Sequence, residues 1–254
     1  MNDLPPPRPA VFRKYTILVS LGLIAGYMAV RSIIYFLYPS TNPLQWLVRD
    51  TMMNAPRLFF LFLCWRYAGR LWTLEGLGLH RKKVIEGVVL GLLFCTPLFA
   101  RPFFFPILGQ PWASLTLLCL SSLIVGCFEE VLFRGLLFRA IYDHHGPKLA
   151  IWGSTLAFVF FHMRAQPYWN FPNIFIFGLC FGLMRASGVS LTALIAVHAL
   201  YGIVAVSLRP IGDYPPFWTL SHFLVVAYVT GMYWAAYRIK LLKPVDTFRP
   251  EDVY

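Results

Sequence analysis

Two glutamates, Glu129 and Glu130, stand side by side in an apolar run that begins near Ala113 and continues to Phe138, and Arg134 follows four residues after the second. A charge at mid-bilayer depth costs roughly 2.5–3.5 kcal/mol, and adjacent carboxylates also repel each other, so this pair needs either a chemical task or a counter-charge. On a helix Glu130 and Arg134 are i and i+4, the spacing at which a carboxylate meets a guanidinium. Glu129 lies about 100° around the helix and is free to point into a polar cavity. The spacing therefore suggests one structural and one reactive carboxylate; the alternative is that both serve as ion-pair partners that fix helix packing. Two imidazoles join them. His162 ends the run Phe158-Val159-Phe160-Phe161-His162, and His198 sits in Leu191-Thr192-Ala193-Leu194-Ile195-Ala196-Val197-His198-Ala199-Leu200, with no acidic residue in its own helix. A mid-span histidine of that kind must find a partner on another helix, and Glu129 or Glu130 is the candidate.

The elements that must position these residues follow from composition. Of 254 residues 58% are hydrophobic and 13% charged, and the mean hydropathy is +0.63, too little charge to cover a soluble surface. The chain is an all-α, polytopic transmembrane bundle on this reading, with apolar segments of spanning length near 15–38, 50–67, 84–101, 112–138, 149–164, 171–186, 189–208 and 216–238. That makes about eight helices, the second weakened by Arg57 and Arg66. One domain is expected: a Pro-rich tail over 1–14, a bundle over 15–240 with its chemical core near 112–205, and a polar tail over 241–254.

With the N-terminus inside, 14 of the 22 basic residues fall in inner segments and four in outer loops, the asymmetry of the positive-inside rule, which puts both termini in the cytoplasm. The net charge of +11 then expresses topology and attraction to anionic lipid; the basic residues are too scattered for a nucleic-acid face. Arg13 and Lys14 precede an apolar stretch too long for a cleaved signal, so it is expected to remain as the first helix. Cys64, Cys95, Cys119, Cys127 and Cys180 are packing residues, His144 and His145 belong to a solvated turn, and His80 and His222 to the interface. Arg31, Arg57 and Arg66 are expected to snorkel, with Arg57 also able to bind an anionic lipid or a substrate carboxylate. In this topology Glu129, His162 and His198 all lie roughly 14–20 Å from the cytoplasmic face, at 1.5 Å per residue. A shared layer favours a shared site.

Taken together, EExxxR, the Fx3H segment about 30 residues later, and His198 preceded by Gly178, Gly182 and Gly188 resemble the CPBP family of intramembrane endopeptidases, which includes the type II CAAX prenyl proteases. The resemblance covers about 112–205. It implies that Glu129 activates water, that Glu130 and Arg134 are its supporting pair, and that His162 and His198 are the two essential histidines. One position departs from the pattern: where the family often carries an Asn four residues after the last histidine, thought to bind the oxyanion, this chain has Gly202, and Asn170 or Asn173, a backbone N–H or water would have to substitute. The implied substrate is a membrane-associated peptide or protein, lipidated or bearing a C-terminal signal, cut in a bacterial or archaeal plasma membrane. Hydrolysis of a peptide bond needs an activated water, a proton route to the leaving amine and stabilisation of the oxyanion. Metal-free glutamate chemistry is favoured, because the helical zinc signature with two histidines at i and i+4 is absent; Glu129, His162 and His198 holding zinc with an open position is the alternative. The competing function is non-catalytic: a proton- or solute-coupled transporter or a partner-binding scaffold, with the buried charges lining a pathway or locking helices. The lack of repeated halves or paired broken helices counts against a transporter.

Overall fold

The computed structural model describes residues 15–40, 42–79, 84–100, 112–163 and 171–207, and eight further positions between 224 and 238. The expectations for both tails, His80, His222, Asn170 and most of the 216–238 segment lie outside the described residues. Among the described residues the ordered structure is helical throughout: α1 (Thr16–Leu37), α2 (Pro43–Met52), α3 (Asn54–Ala68), α4 (Val84–Ala100), α5 (Trp112–Glu130), a π-helical segment (Val131–Leu137), α6 (Phe138–His162), α7 (Phe171–Ala186) and α8 (Leu191–Ser207). α1 and the run that starts at Trp112 are long and apolar enough to cross a membrane, while α7 and parts of α4 and α8 form shorter apolar helices. Phe36, Phe59, Phe62, Trp112 and Phe160 are exposed. Such an apolar outer surface suits lipid rather than water.

Two expected segments are built differently. The second, expected over 50–67, is two helices that meet at Met53. Asn42 caps the first, its Oδ1 accepting from the Gln45 amide at 2.9 Å, with Pro43 at the opening position where a missing N–H costs nothing. The fourth segment does not end at 138 but continues through the π segment to His145. There Gly146, at φ 79°, and Pro147 break the helix, as the sequence motif predicts. The chain then folds back on itself, because Phe133 packs edge-on against Phe158 at 5.3 Å and a Cβ on Gly153 would lie 2.8 Å from Ile141.

The bundle core gathers around α5, the π segment and α8. Gly126 lets α5 approach α8 so closely that an added Cβ would stand 3.0 Å from the Ala199 amide nitrogen and 3.1 Å from the Ile195 carbonyl oxygen. Gly87 and Gly91 do the same for α4 against Val189, just before α8, and Ala193 and Val197 on α8. Small residues at helix contacts are how apolar helices gain packing contacts where lipid removes the hydrophobic incentive. Tyr27, Phe128 and Phe161 stack at the centre, with ring centroids 4.6 and 5.4 Å from Tyr27.

Two arginines assigned to inner loops by the charge pattern are instead buried. Arg185 donates from Nη2 to the Leu77 carbonyl at 3.0 Å, from Nη1 to that of Val189 at 3.5 Å, and from Nε to that of Arg134 at 3.3 Å. Arg139 pairs with Asp143 at 2.8 Å and donates to the Gly76 carbonyl at 3.2 Å. Together they seat the segment after α3 against the π segment and the α7–α8 turn, where the Leu191 amide also donates to the Gly78 carbonyl at 2.8 Å.

Candidate active site

The four titratable groups singled out from the sequence come from three helices and converge. α5 supplies Glu129 and Glu130 on its last turn, α6 supplies His162 at its end, and α8 supplies His198. Glu129, Glu130 and His198 are buried and His162 is half-buried. Glu129 Oε2 lies 3.6 Å from His162 Nε2 and 3.7 Å from His198 Nε2. Glu130 Oε1 lies 2.7 Å from His198 Nδ1 and 3.3 Å from Arg134 Nη1. The two glutamates thus have different neighbours: Glu130 meets Arg134, as the i, i+4 spacing predicts, and His198 as well, while Glu129 faces both histidines.

Hydrogen-bond accounting fixes the imidazole tautomers. His162 Nδ1 is 2.9 Å from the Phe158 carbonyl, which can only accept, so the proton is on Nδ1. His198 Nδ1 faces a carboxylate already accepting from Arg134, so it too is the donor. In the neutral rings both Nε2 atoms are then acceptors, and both face Glu129 Oε2, a buried oxygen with no hydrogen-bond partner. Three acceptors around one point form a site for a molecule that brings its own protons, and water is the smallest such donor.

The surroundings hold this geometry rigid. Phe177, Phe181 and Phe158 ring His198 with centroids 5.0, 6.2 and 6.3 Å away, and Phe158 lies 4.4 Å from the His162 ring. Arg134 is fully buried, donates to the Gly178 carbonyl at 3.2 Å and lies 4.3 Å over the Phe158 ring. Burial in apolar walls strengthens each of these charged hydrogen bonds. A Cβ on Gly178 would lie 3.3 Å from Phe158 and from Thr155, so the glycine lets α7 lie close against α6.

Zinc bound at about 2.0–2.1 Å would place its tetrahedral ligand atoms roughly 3.3–3.4 Å apart. Glu129 Oε2 lies slightly farther than that from each Nε2, and among the described residues no group of three or more His, Cys, Asp and Glu side chains has the arrangement of a metal-binding set. The donor atoms are of the right type and their spacing is not that of a zinc shell. No step below passes through a metal.

Gly202 contacts α5: a Cβ there would lie 3.1 Å from both Cβ and Oγ of Ser122. A hydroxyl thus stands beside the position where the family's amide would begin. Asn173, the other substitute raised by the sequence, is buried in the first turns of α7.

The structure also brings in residues whose role the sequence did not predict. Arg57 does not snorkel: it pairs with Asp50 at 3.0 Å and donates to Asn54 at 2.9 Å, a fixed cluster on α2 and α3. Its spacing to Asn54, i−3, was visible in the chain, but the α2–α3 break that brings Asp50 to it was not. Tyr27 lies within electrostatic reach of both Arg57 and Glu129. Arg31 does not snorkel either; it is buried beneath aromatic rings on the inner face of α1.

Residues 111–204 match the family described as type II CAAX prenyl endopeptidase Rce1-like. No curated protein matches the chain. The matched segment holds Glu129, Glu130, Arg134, His162 and His198 together, and over it the chain is similar to this family.

Proposed function

We propose that this intramembrane endopeptidase hydrolyses a peptide bond near the end of a membrane-associated, lipidated protein or peptide, with Glu129 as the base. The observation that carries the proposal is the convergence of three acceptors, Glu129 Oε2 and the two histidine Nε2 atoms, at 3.6 and 3.7 Å. A water donating to that cluster loses a proton to Glu129 as its oxygen attacks the peptide carbonyl carbon. The C–N bond then breaks and the proton passes to the leaving nitrogen, leaving a new carboxyl terminus and a free amine. The water's second proton goes to Nε2 of His162 or of His198, one at a time, and Glu130 with Arg134 keeps the His198 ring in register. The growing oxyanion needs a donor, and the Ser122 hydroxyl beside Gly202 is a candidate to replace the absent amide.

Support for a lipidated substrate comes from an apolar groove of about 560 Å³ lined by Leu58, Leu61, Phe62, Trp65, Cys127 and Val131. It borders the turns that flank the glutamates and would accept an isoprenoid or acyl chain from the bilayer. The charge bias of the loops supports placing both termini and the open side of the site toward the cytoplasm.

Glu129→Gln is the test. The substitution keeps the shape and removes the base, so the purified variant should keep its thermal stability and lose at least about 100-fold in cleavage, the usual worth of a positioned base. Equal cleavage by variant and wild type would remove Glu129 from the mechanism. A chelator should leave cleavage unchanged; loss with recovery on adding zinc would replace the metal-free reading.

A further inference from the structure

Tyr27 is a buried titratable group that the reaction above leaves without a task. It is 2% exposed, and its ring packs against Phe128 at 4.6 Å and Phe161 at 5.4 Å. Those two phenylalanines immediately precede Glu129 and His162, whose side chains stand 3.6 Å apart. Phe60 closes the ring edge-on at 5.7 Å. A tyrosine among phenylalanines is informative, because phenylalanine would fill the same space with no buried hydroxyl to satisfy.

The hydroxyl has charged neighbours of both signs. Arg57 is within hydrogen-bonding reach and Glu129 within electrostatic reach, while Arg31, one turn along α1, adds a smaller contribution. A guanidinium can only donate, so the phenolic oxygen accepts from Arg57 and its hydrogen is turned toward a second partner. Arg57 is itself fixed, by Asp50 of α2 at 3.0 Å and by Asn54 of α3 at 2.9 Å. A fixed cation behind the oxygen makes the O–H a stronger donor.

A donor is what the reaction centre lacks. Glu129 Oε2 and the two Nε2 atoms are acceptors, and Arg134 is committed to Glu130 and the Gly178 carbonyl. Glu129 is an anion before the water is cleaved and neutral once it has taken the proton. Its hold on the Tyr27 hydrogen thus falls at the step in which the substrate carbonyl oxygen becomes charged. The hydrogen bond can pass from one oxygen to the other while the phenol keeps its proton.

We propose that Tyr27, with Arg57 behind it, is a catalytic residue that donates its O–H to the oxyanion of the tetrahedral intermediate. The carbonyl oxygen gains an electron pair as the water oxygen adds to carbon and returns it as the C–N bond breaks. The proposal rests on the protease reading above, and it gives α1 and α3, which lie outside residues 111–204, a part in the chemistry.

The test uses the full chain in nanodiscs, a fluorogenic S-farnesyl peptide, and the same peptide with a phosphinate, a tetrahedral anion, in place of the scissile amide. Tyr27→Phe keeps the ring stack, so Tm should fall by no more than about 4 °C, the worth of one hydrogen bond. Its kcat should fall at least about 100-fold with KM within about twofold, the pattern of an interaction made only in the transition state. Phosphinate affinity should fall by a similar factor, while affinity for the uncleaved peptide, measured on the Glu129→Gln background, should stay within about twofold. The pair Asp50→Asn/Arg57→Gln removes the cation without leaving a lone charge; it should lower kcat about 10-fold when Tyr27 is present and have no further effect in Tyr27→Phe. A full further loss in that background overturns the part given to Arg57. A kcat for Tyr27→Phe within about threefold of wild type overturns the proposal and leaves the protease reading intact, as does equal weakening of peptide and phosphinate. Loss of kcat in Ser122→Ala with none in Tyr27→Phe gives the donor to Ser122 instead. A wild type that cleaves no such peptide yet binds the phosphinate through Tyr27 would keep the donor site and remove the protease reading.

Discussion

Replacing Arg134 by Met should destabilise the protein far more than replacing Arg134 and Glu130 together. Arg134 and Glu130 are both fully buried, 3.3 Å apart, and the walls around them are phenylalanine. Arg134→Met leaves the Glu130 carboxylate with only His198 Nδ1 at 2.7 Å, and Glu130→Gln leaves a guanidinium with the Gly178 carbonyl and the Phe158 ring. Breaking a buried pair from one side costs about 3–5 kcal/mol, whereas neutral replacement of both partners is often close to neutral. At roughly 2–4 °C per kcal/mol for a chain of this size, each single variant should lose about 6–20 °C in Tm, and the double variant Glu130→Gln/Arg134→Met should recover most of it. Intrinsic fluorescence of the eight tryptophans during heating in detergent reads the transition. Cleavage should behave differently. The double variant no longer presents a carboxylate to His198, so it should remain slower than wild type by about 10-fold or more, the cost of a lost charge-assisted hydrogen bond. Tm losses in the double variant equal to the sum of the single losses would refute the coupling and with it the assigned role of Glu130.

Three further substitutions probe other parts of the fold. Gly78→Ala should lower Tm and slow cleavage, because Gly78 has φ 92° and an added Cβ would lie 2.3 Å from Arg185 Nη2; backbone strain alone accounts for about 1–3 kcal/mol, and a Tm within 2 °C of wild type would contradict the close contact. Gly202→Asn should impair cleavage when Ser122 is present, since the new side chain starts 3.1 Å from Ser122, and the pair Ser122→Gly/Gly202→Asn should cleave faster than Gly202→Asn alone; the reverse order would show that the position does not face the site. Cys127→Trp should fill the apolar groove and raise KM for a farnesylated peptide by about 10-fold while leaving the KM of an unmodified peptide within about twofold, and an equal change for both would detach the groove from the lipid.

The candidate cluster was legible in the chain because it is made of residues that are expensive where they stand. Glu129, Glu130, His162 and His198 in apolar runs could be brought to one depth by counting residues, and helix geometry alone paired Glu130 with Arg134. What could not be read depends on which backbone groups lack partners. Arg139 and Arg185 look like loop cations in a charge count; their burial goes with donation to the carbonyls of Gly76 and Leu77, outside the helices, and of Arg134 in the π segment. Arg57 looked like a snorkelling residue because Asp50 lies seven positions away, and only the break at Met53 brings the two within 3.0 Å. The link from Glu130 to His198 spans 68 residues and required α5 to approach α8 at Gly126, a contact no periodicity announces.

The π segment between Val131 and Leu137 has a consequence for the gene as well as for the site. A π turn wraps more residues than an α turn, so the chain leaves Leu137 out of phase with the helix that carried it to Glu130. The glutamates upstream and the hairpin bearing His162 downstream are two clocks set to different hours, and the segment is the offset between them. Deleting one residue there, Leu132 for example, would change no charge and no ligand yet turn everything after it relative to Glu129. Substitutions of the apolar residues in this stretch are a matter of packing; an insertion or deletion of a single codon would reset the timing on which the two histidines meet one oxygen.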